Sequence, residues 1–290
     1  MPLAPRPLAL LLSLASFAAL AQPAPPRDPR LLLNTFTVVR LNPLGADLQA
    51  TVSYVTPIGD SDDRMWRTRF WSLGAKATVN PAEASVQGIF EYEPLAMFQL
   101  KAVAEYRGYF GGFNELLSFP TLDPEYSDTA IRAAAAAGQN YATTRYNLRV
   151  EPKLRAAFGP IGLQNTFSFI YGVNQVRPGD QVFYEASMDM LRPANGVTLV
   201  NSFNAVYLAG PMTAGLVHEW AIPIGLNPED QIHRVGSVFS WRFYEDTAAW
   251  VNKPTVFALV MFNVQHRGRA GPIPTVVVGF ASETDLWAQR

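Results

Sequence analysis

Arg145, Arg149, Glu151, Lys153 and Arg155 fall on alternate positions of one segment, with Asn147 in the same series. Between them stand Tyr146, Leu148, Val150, Leu154 and Ala156. Successive side chains of a β-strand point to opposite sides. Residues 144–158 therefore read as a strand with one ionic and one apolar face. Four cations on one face offer anions a surface, through charge and through the two-pronged grip of guanidinium on oxygen pairs. Three other segments extend the ionic set. Segment 97–109 places Gln99, Lys101, Glu105 and Arg107, with Val103 intruding, opposite Phe98, Leu100, Ala102, Ala104 and Tyr106. Segment 182–191 places Glu185, Ser187 and Asp189 opposite Tyr184, Ala186, Met188 and Met190. Segment 231–244 places Arg234 and Arg242 opposite Val235, Phe239, Trp241 and Phe243.

The other reactive side chains point to no enzyme. His218 is adjacent to Glu219, so on a strand the two face opposite ways and form no dyad. His266 has no serine beside it, and His233 sits next to Arg234 at a strand start. No Gly-x-Ser-x-Gly elbow occurs. Cysteine is absent and the histidines are scattered, so no zinc site is expected. Asp60, Asp62 and Asp63 lack the spacing and glycine of a calcium loop and read as a solvated turn. No catalytic residue, metal or cofactor is expected. With no Lys/Arg run and a net charge of −1, neither is nucleic-acid binding.

The elements that must position the ionic faces are strands. Besides those above, segments 32–41, 47–56, 65–79, 84–93, 163–172, 197–208, 212–222, 255–266 and 273–282 are strand-like. Asn42-Pro43, Asn80-Pro81, Gly159-Pro160-Ile161-Gly162, Arg192–Gly196, Gly210-Pro211 and Asn227-Pro228 punctuate them. Strands joined so tightly pair antiparallel, because parallel neighbours need long crossovers. One connection, 110–141, is long. Within it Ser127 or Asp128 can start a short helix, 129–137, that Gly138 ends. Such a helix needs support from elsewhere, and so long a loop is a candidate for a constriction, a lid or a partner site.

The N-terminus reads as a leader. Arg6 precedes an uncharged apolar run, Leu8–Leu20, and Ala19-Leu20-Ala21 fits signal cleavage, giving a signal peptide 1–21. The run is shorter than the roughly 20 residues a spanning helix needs. Residues 22–30 are a Pro-rich linker, and 31–290 form one β domain. Absence of cysteine excludes a disulfide-stapled fold and a lipid-anchored N-terminus.

Alternation alone also fits a soluble β-sandwich. Several segments, however, reach ten or more residues, where soluble strands average about five or six. Many of the 18 Phe, 11 Tyr and 6 Trp stand near strand ends, including Trp66, Trp71, Tyr92, Tyr106, Tyr109, Tyr171, Tyr184, Tyr207, Trp220, Trp241 and Tyr244. Tight turns contrast with long loops. In these respects the chain resembles the bacterial outer-membrane β-barrel class, porin-like, with no named family matched. Such proteins commonly end on an aromatic residue; here Phe280 closes the last segment and ten residues follow.

The resemblance implies an all-β, antiparallel, up-and-down transmembrane barrel in the outer membrane of a Gram-negative-type bacterium. It also implies insertion by barrel-assembly machinery and outer-membrane lipid as a partner. The expected strand number is 12, with 10 and 14 open and with 32–41 and 273–282 the least secure. Apolar faces would meet lipid. Lys101, Glu105, Arg107, Arg145, Arg149, Glu151, Lys153, Arg155, Glu185, Asp189, Arg234 and Arg242 would line the lumen. Two functions follow from that wall: a narrow channel for small solutes, anionic ones among them, or a non-conducting, salt-bridged barrel serving structure or partner binding. A soluble periplasmic binding protein and a lipid hydrolase rank below both. The oligomeric state stays open.

Overall fold

In the computed structural model the chain is described over residues 28–288, except 42–44, 60–62, 64, 67, 114–115, 247–248 and 270–273. The expected signal peptide and most of the Pro-rich linker lie outside the described residues, as do Asn42-Pro43, Asp60 and Asp62.

Twelve strands close into one antiparallel barrel. In chain order they are β1 (Arg30–Leu41), β2 (Gly45–Pro57), β3 (Phe70–Val79), β4 (Glu83–Leu95), β5 (Phe98–Phe110), β7 (Ala142–Phe158), β8 (Ile161–Asn174), β11 (Asn195–Ala209), β12 (Met212–Pro223), β13 (Ile232–Arg242), β14 (Asn252–Gln265) and β15 (Thr275–Asp285). Each pairs with the next, and β1 pairs with β15 from Leu32↔Asp285 to Leu41↔Val276. Closure leaves no edge strand, as a membrane demands. The two least secure segments are thus the pair that seals the barrel. Segment 65–79 is shorter than expected, since its strand begins at Phe70.

Segment 182–191 is not a barrel strand. It holds two short strands, β9 (Val182–Glu185) and β10 (Met190–Pro193), which join β6 (Leu117–Phe119) in a separate antiparallel sheet of order β10-β9-β6. Asp189 turns the corner with φ 57°. The pairing sets Met190 opposite Glu185 and Leu191 opposite Tyr184. Crossing the turn therefore exchanges odd and even positions, so Met190 shares a face with Glu185 and not with Tyr184.

The outer surface of the barrel is apolar and the inner one divided. Outward positions include Leu48, Leu73, Val86, Leu148, Leu154, Phe203, Leu216 and Val278, all exposed. Aromatic side chains gather in two belts on this surface. Tyr106, Tyr146, Tyr171 and Trp220 lie toward one end, and Tyr54, Trp71, Tyr92, Tyr207, Trp241 and Trp287 toward the other. Tyr54 packs edge-on against both Trp71 and Trp287. Such belts mark where headgroups would meet hydrocarbon. Tyr109 and Tyr184 belong to neither belt, being buried inside. An apolar groove of about 890 Å3, with Ala50, Ala75, Ala77, Gly88 and Ala104 on its floor, crosses the outer face of β2–β5.

Inside, β2–β5, β7 and β8 present mostly polar or charged side chains. β1 and β11–β15 present Phe36, Val38, Val206, Val217, Val238, Phe257, Leu259, Met261 and Val277, one buried cluster. Phe36 and Phe257 stack with ring centroids 5.1 Å apart.

Candidate functional site: a charged lumen closed by an inner sheet

β1 begins and β15 finishes at one end of the barrel, here the near end; the connections 111–141, 175–194, 224–231 and 266–274 all leave the far end. The near end carries the two-residue turns 96–97, 159–160 and 210–211, but also 58–69 and 243–251, so the expected contrast between ends is partial.

The long connections fold into the far mouth. Helix α1 (Asp128–Ala136) is capped by Ser127, whose hydroxyl accepts from Ala130 N, and Gly138 follows with φ 69°. α1 buries Ile131 in a cluster with Leu117, Tyr126, Tyr184, Ala186 and Leu191. The other face of the inner sheet meets the barrel wall. Met190 packs among Ile170, Val200, Ala221 and Ile232, while Phe183 joins Tyr109 and Leu116. The helix thus rests on the small sheet, and the small sheet on the lumen.

Glu185 is the polar anchor of that contact. It is 1% exposed, as is Arg145, with which it pairs directly. It also meets Arg107 Nη1 and Arg192 Nη1, each at 3.2 Å, and accepts from Tyr109 OH at 3.3 Å. Arg107 binds Glu83 at 3.0 Å and Glu105 at 2.8 Å as well. Arg192 donates to Thr198 on β11. Buried charges need such partners, because an ion left alone in a dry interior is costly.

Asp189, within the turn itself, is the second anchor. Its carboxylate accepts from Tyr184 OH at 2.9 Å and from Arg269 Nε at 2.9 Å, and lies 3.7 Å from Arg234 Nη2 and 3.3 Å from His266 Nε2. Arg234 also pairs with Glu219 and donates to Met188 O. Arg267 ties the last far-end connection to the others, reaching Asp230 at 3.1 Å and donating to Pro124 O. Burial raises the Asp230 carboxyl above its ordinary range, with Arg267 pulling it back down. Removing the Asp189 charge should loosen this whole cap. Asp189→Asn, which tolerates the same backbone, is expected to cost about 2 kcal/mol, since bonds between charged groups are lost. Trypsin should then cut after Arg267 or Arg269 faster than in the parent. Equal cutting rates would mean that Asp189 does not hold the cap.

The twelve residues expected to line the lumen fall into three groups. Lys101, Glu105, Arg107, Arg145, Arg149, Glu151, Lys153, Arg155 and Arg234 are on the inner wall. Glu185 and Asp189 are not on the wall; they sit on the inner sheet and bind wall residues, because 182–191 folds back at its centre. Arg242 ends β13 at the near rim, paired with Glu245 at 3.1 Å. Arg155 is held by buried Glu93, Lys101 by Glu91 at 3.0 Å, and Arg149 lies 3.5 Å from Glu151, which also accepts from Ser168. Arg192, Glu83, Glu91 and Glu93 belong to the same network, although weak alternation in their segments hid them. The histidines are dispersed: His266 is buried beside Asp189 and Tyr126, while the His218 and His233 rings lie 6.0 Å apart near Trp220.

No family profile and no curated protein matches the chain. Among solved structures it is similar to the KdgM porin in complex with disordered oligogalacturonate, at 7% identity and a TM-score of 0.41, over 88% of this chain and 99% of that one. It is similar to the β-domain of the Bordetella autotransporter BrkA at 11% identity and a TM-score of 0.42, over 88% and 98%. The translocator domain of the autotransporter NalP from Neisseria meningitidis matches at 8% identity and a TM-score of 0.38, over 96% and 99%. The likeness is one of architecture: this chain resembles outer-membrane β-barrels as a class, and no one family of them.

Proposed function

We propose that the protein is a narrow outer-membrane channel for small solutes, held closed by its inner sheet, with its path along the charged wall of β3–β5 and β7. One observation carries this reading. Inside a closed barrel, Glu91, Lys101, Arg149 and Glu151 keep 15–25% of their side-chain surface open. Gln49, Asn147 and Asn204 add buried amide atoms with no protein partner, a need that lumen water meets. A barrel interior built only for stability has no use for a hydrated, charged lane beside a packed apolar wall. Its mixed charge supports weak selectivity, since the wall's cations face carboxylates.

Single-channel recording in planar bilayers tests the proposal. Arg149→Glu is expected to shift the reversal potential toward cations, raising cation over anion permeability several-fold. Arg155→Glu is the poorer probe, since it would set a second buried carboxylate face to face with Glu93. Conductance with no shift on Arg149→Glu would remove this side chain from the path. The second reading, a non-conducting barrel, draws on the dense pairing around Glu185; complete absence of conductance, in parent and variants alike, would select it.

A further inference from the structure

Two wall cations at the far mouth have wall carboxylates of their own. Arg107 has Glu83 and Glu105, and Arg234 has Glu219. Among the described residues Arg145 pairs with Glu185, which comes from the inner sheet and not from the wall. Its guanidinium lies 5.2 Å from the Phe183 ring centre, and its Nε and Nη2 have no hydrogen-bond partner. The wall makes room for it. A Cβ on Gly172 would stand 3.0 Å from Arg145 Nη2 and 2.8 Å from Asn147 Oδ1.

We propose that Arg145, with Arg107 beside it, is a carboxylate-binding site of the lumen, and that Glu185 occupies it as an internal stand-in for a small carboxylate solute. Three points lead there. The occupant is carried by a loop-borne sheet, not by the barrel, so it can leave while the site stays. Its departure would leave Arg145 without the carboxylate it pairs with, which is unfavourable until another partner takes that place. And the vacated guanidinium presents N–H groups in a fork that matches two carboxylate oxygens. The sheet is therefore held until an anion takes the place of Glu185. An equilibrium moves only by the difference in a ligand's affinity for its two states, and here that difference is built in, because the closed state has the site filled. The gating step rests on the channel reading above; the site itself does not.

Chemical rescue tests the site and recording tests the gate. Glu185→Ala, folded in detergent, should melt well below the parent in sodium chloride. Sodium acetate at equal ionic strength should recover at least half of the lost melting temperature, while the parent barely responds. Glu185→Ala combined with Arg145→Met should lose the acetate effect. In bilayers, succinate on the far side should raise the parent's opening frequency relative to chloride. Glu185→Gln, which keeps the shape and removes the charge, should open about tenfold more often without any carboxylate. Should Glu185→Ala fail to fold, the glutamine variant decides alone, and unchanged gating in it overturns the proposal. Acetate acting no better than chloride on the alanine variant also overturns it, even if current flows. Rescue by acetate with no current in any protein leaves the binding site standing and removes the channel.

Discussion

Replacing Gly236 with alanine is expected to destabilise the barrel by about 3 kcal/mol or more, the cost of forcing an atom into a packed wall that cannot give way. The added Cβ would lie 2.1 Å from the carbonyl oxygen of Val260 and 2.8 Å from the Cα of Met261. Both are backbone atoms of the neighbouring strand, so no rotamer change relieves the contact. Gly215 on β12 is in the same position, 2.2 Å from the Ala205 oxygen, and Gly279 on β15 would meet Phe257 Cζ at 2.2 Å and Thr37 O at 2.6 Å. These three glycines fall where Val206, Val217, Val238, Phe257 and Met261 fill the lumen side. A missing side chain lets adjoining strands approach and leaves volume for the large apolar groups beside it. Gly88 on β4 is the control, because a Cβ there meets nothing within 4 Å. Gly88→Ala should be neutral or raise stability by about 0.5 kcal/mol, since strand glycine is entropically costly. Urea unfolding from lipid vesicles measures both. Equal midpoints for the two variants would mean that the apolar wall does not depend on close strand approach.

That wall is also where the sequence was least legible. Alternation located β5 and β7 because each has one polar face, with its ionic residues on the inner wall. On β14 the inward Phe257, Leu259 and Met261 alternate with outward Val256, Ala258, Val260 and Phe262. Both faces are apolar, and periodicity carries no information about which side is which. The lumen could then be foreseen only as an ionic tube, not as a lane along half of one. Segment 182–191 failed for a different reason. Ala186, Ser187, Met188 and Asp189 turn the chain without glycine, proline or asparagine, and the two turn-forming residues among them, Ser187 and Asp189, fell where a strand's polar face would put them. An even-length turn swaps the parity of the faces, and the alternation of Glu185, Ser187 and Asp189 looked like one strand. The Glu185–Arg145 pair joins residues 40 positions apart by tertiary folding alone. What was legible there was the type of residue, a carboxylate among many arginines, and not its place on a separate sheet.

Leu216 decides whether the outer face meets lipid. It is 68% exposed near the middle of β12, with Ala205 and Ser237 beside it in register. No large neighbour would clash with a longer side chain, so packing predicts almost nothing for Leu216→Arg. In water the exchange should stay within about 0.5 kcal/mol, as for ordinary surface positions. At the midplane of a bilayer the same guanidinium must lose its hydration or drag water and headgroups inward, at about 2–4 kcal/mol. For a soluble protein the expectation is the reverse, because removing an exposed leucine there favours solubility. Reversible folding into phospholipid vesicles, followed by tryptophan fluorescence, separates the cases, with Leu216→Ala as the reference for lost apolar area. A large penalty in vesicles places the band of Leu48, Leu148 and Leu216 in hydrocarbon and makes the inner charged lane the only polar route through the molecule. A negligible penalty would turn the apolar exterior into a surface that some other protein must cover, and the lane would then lead nowhere.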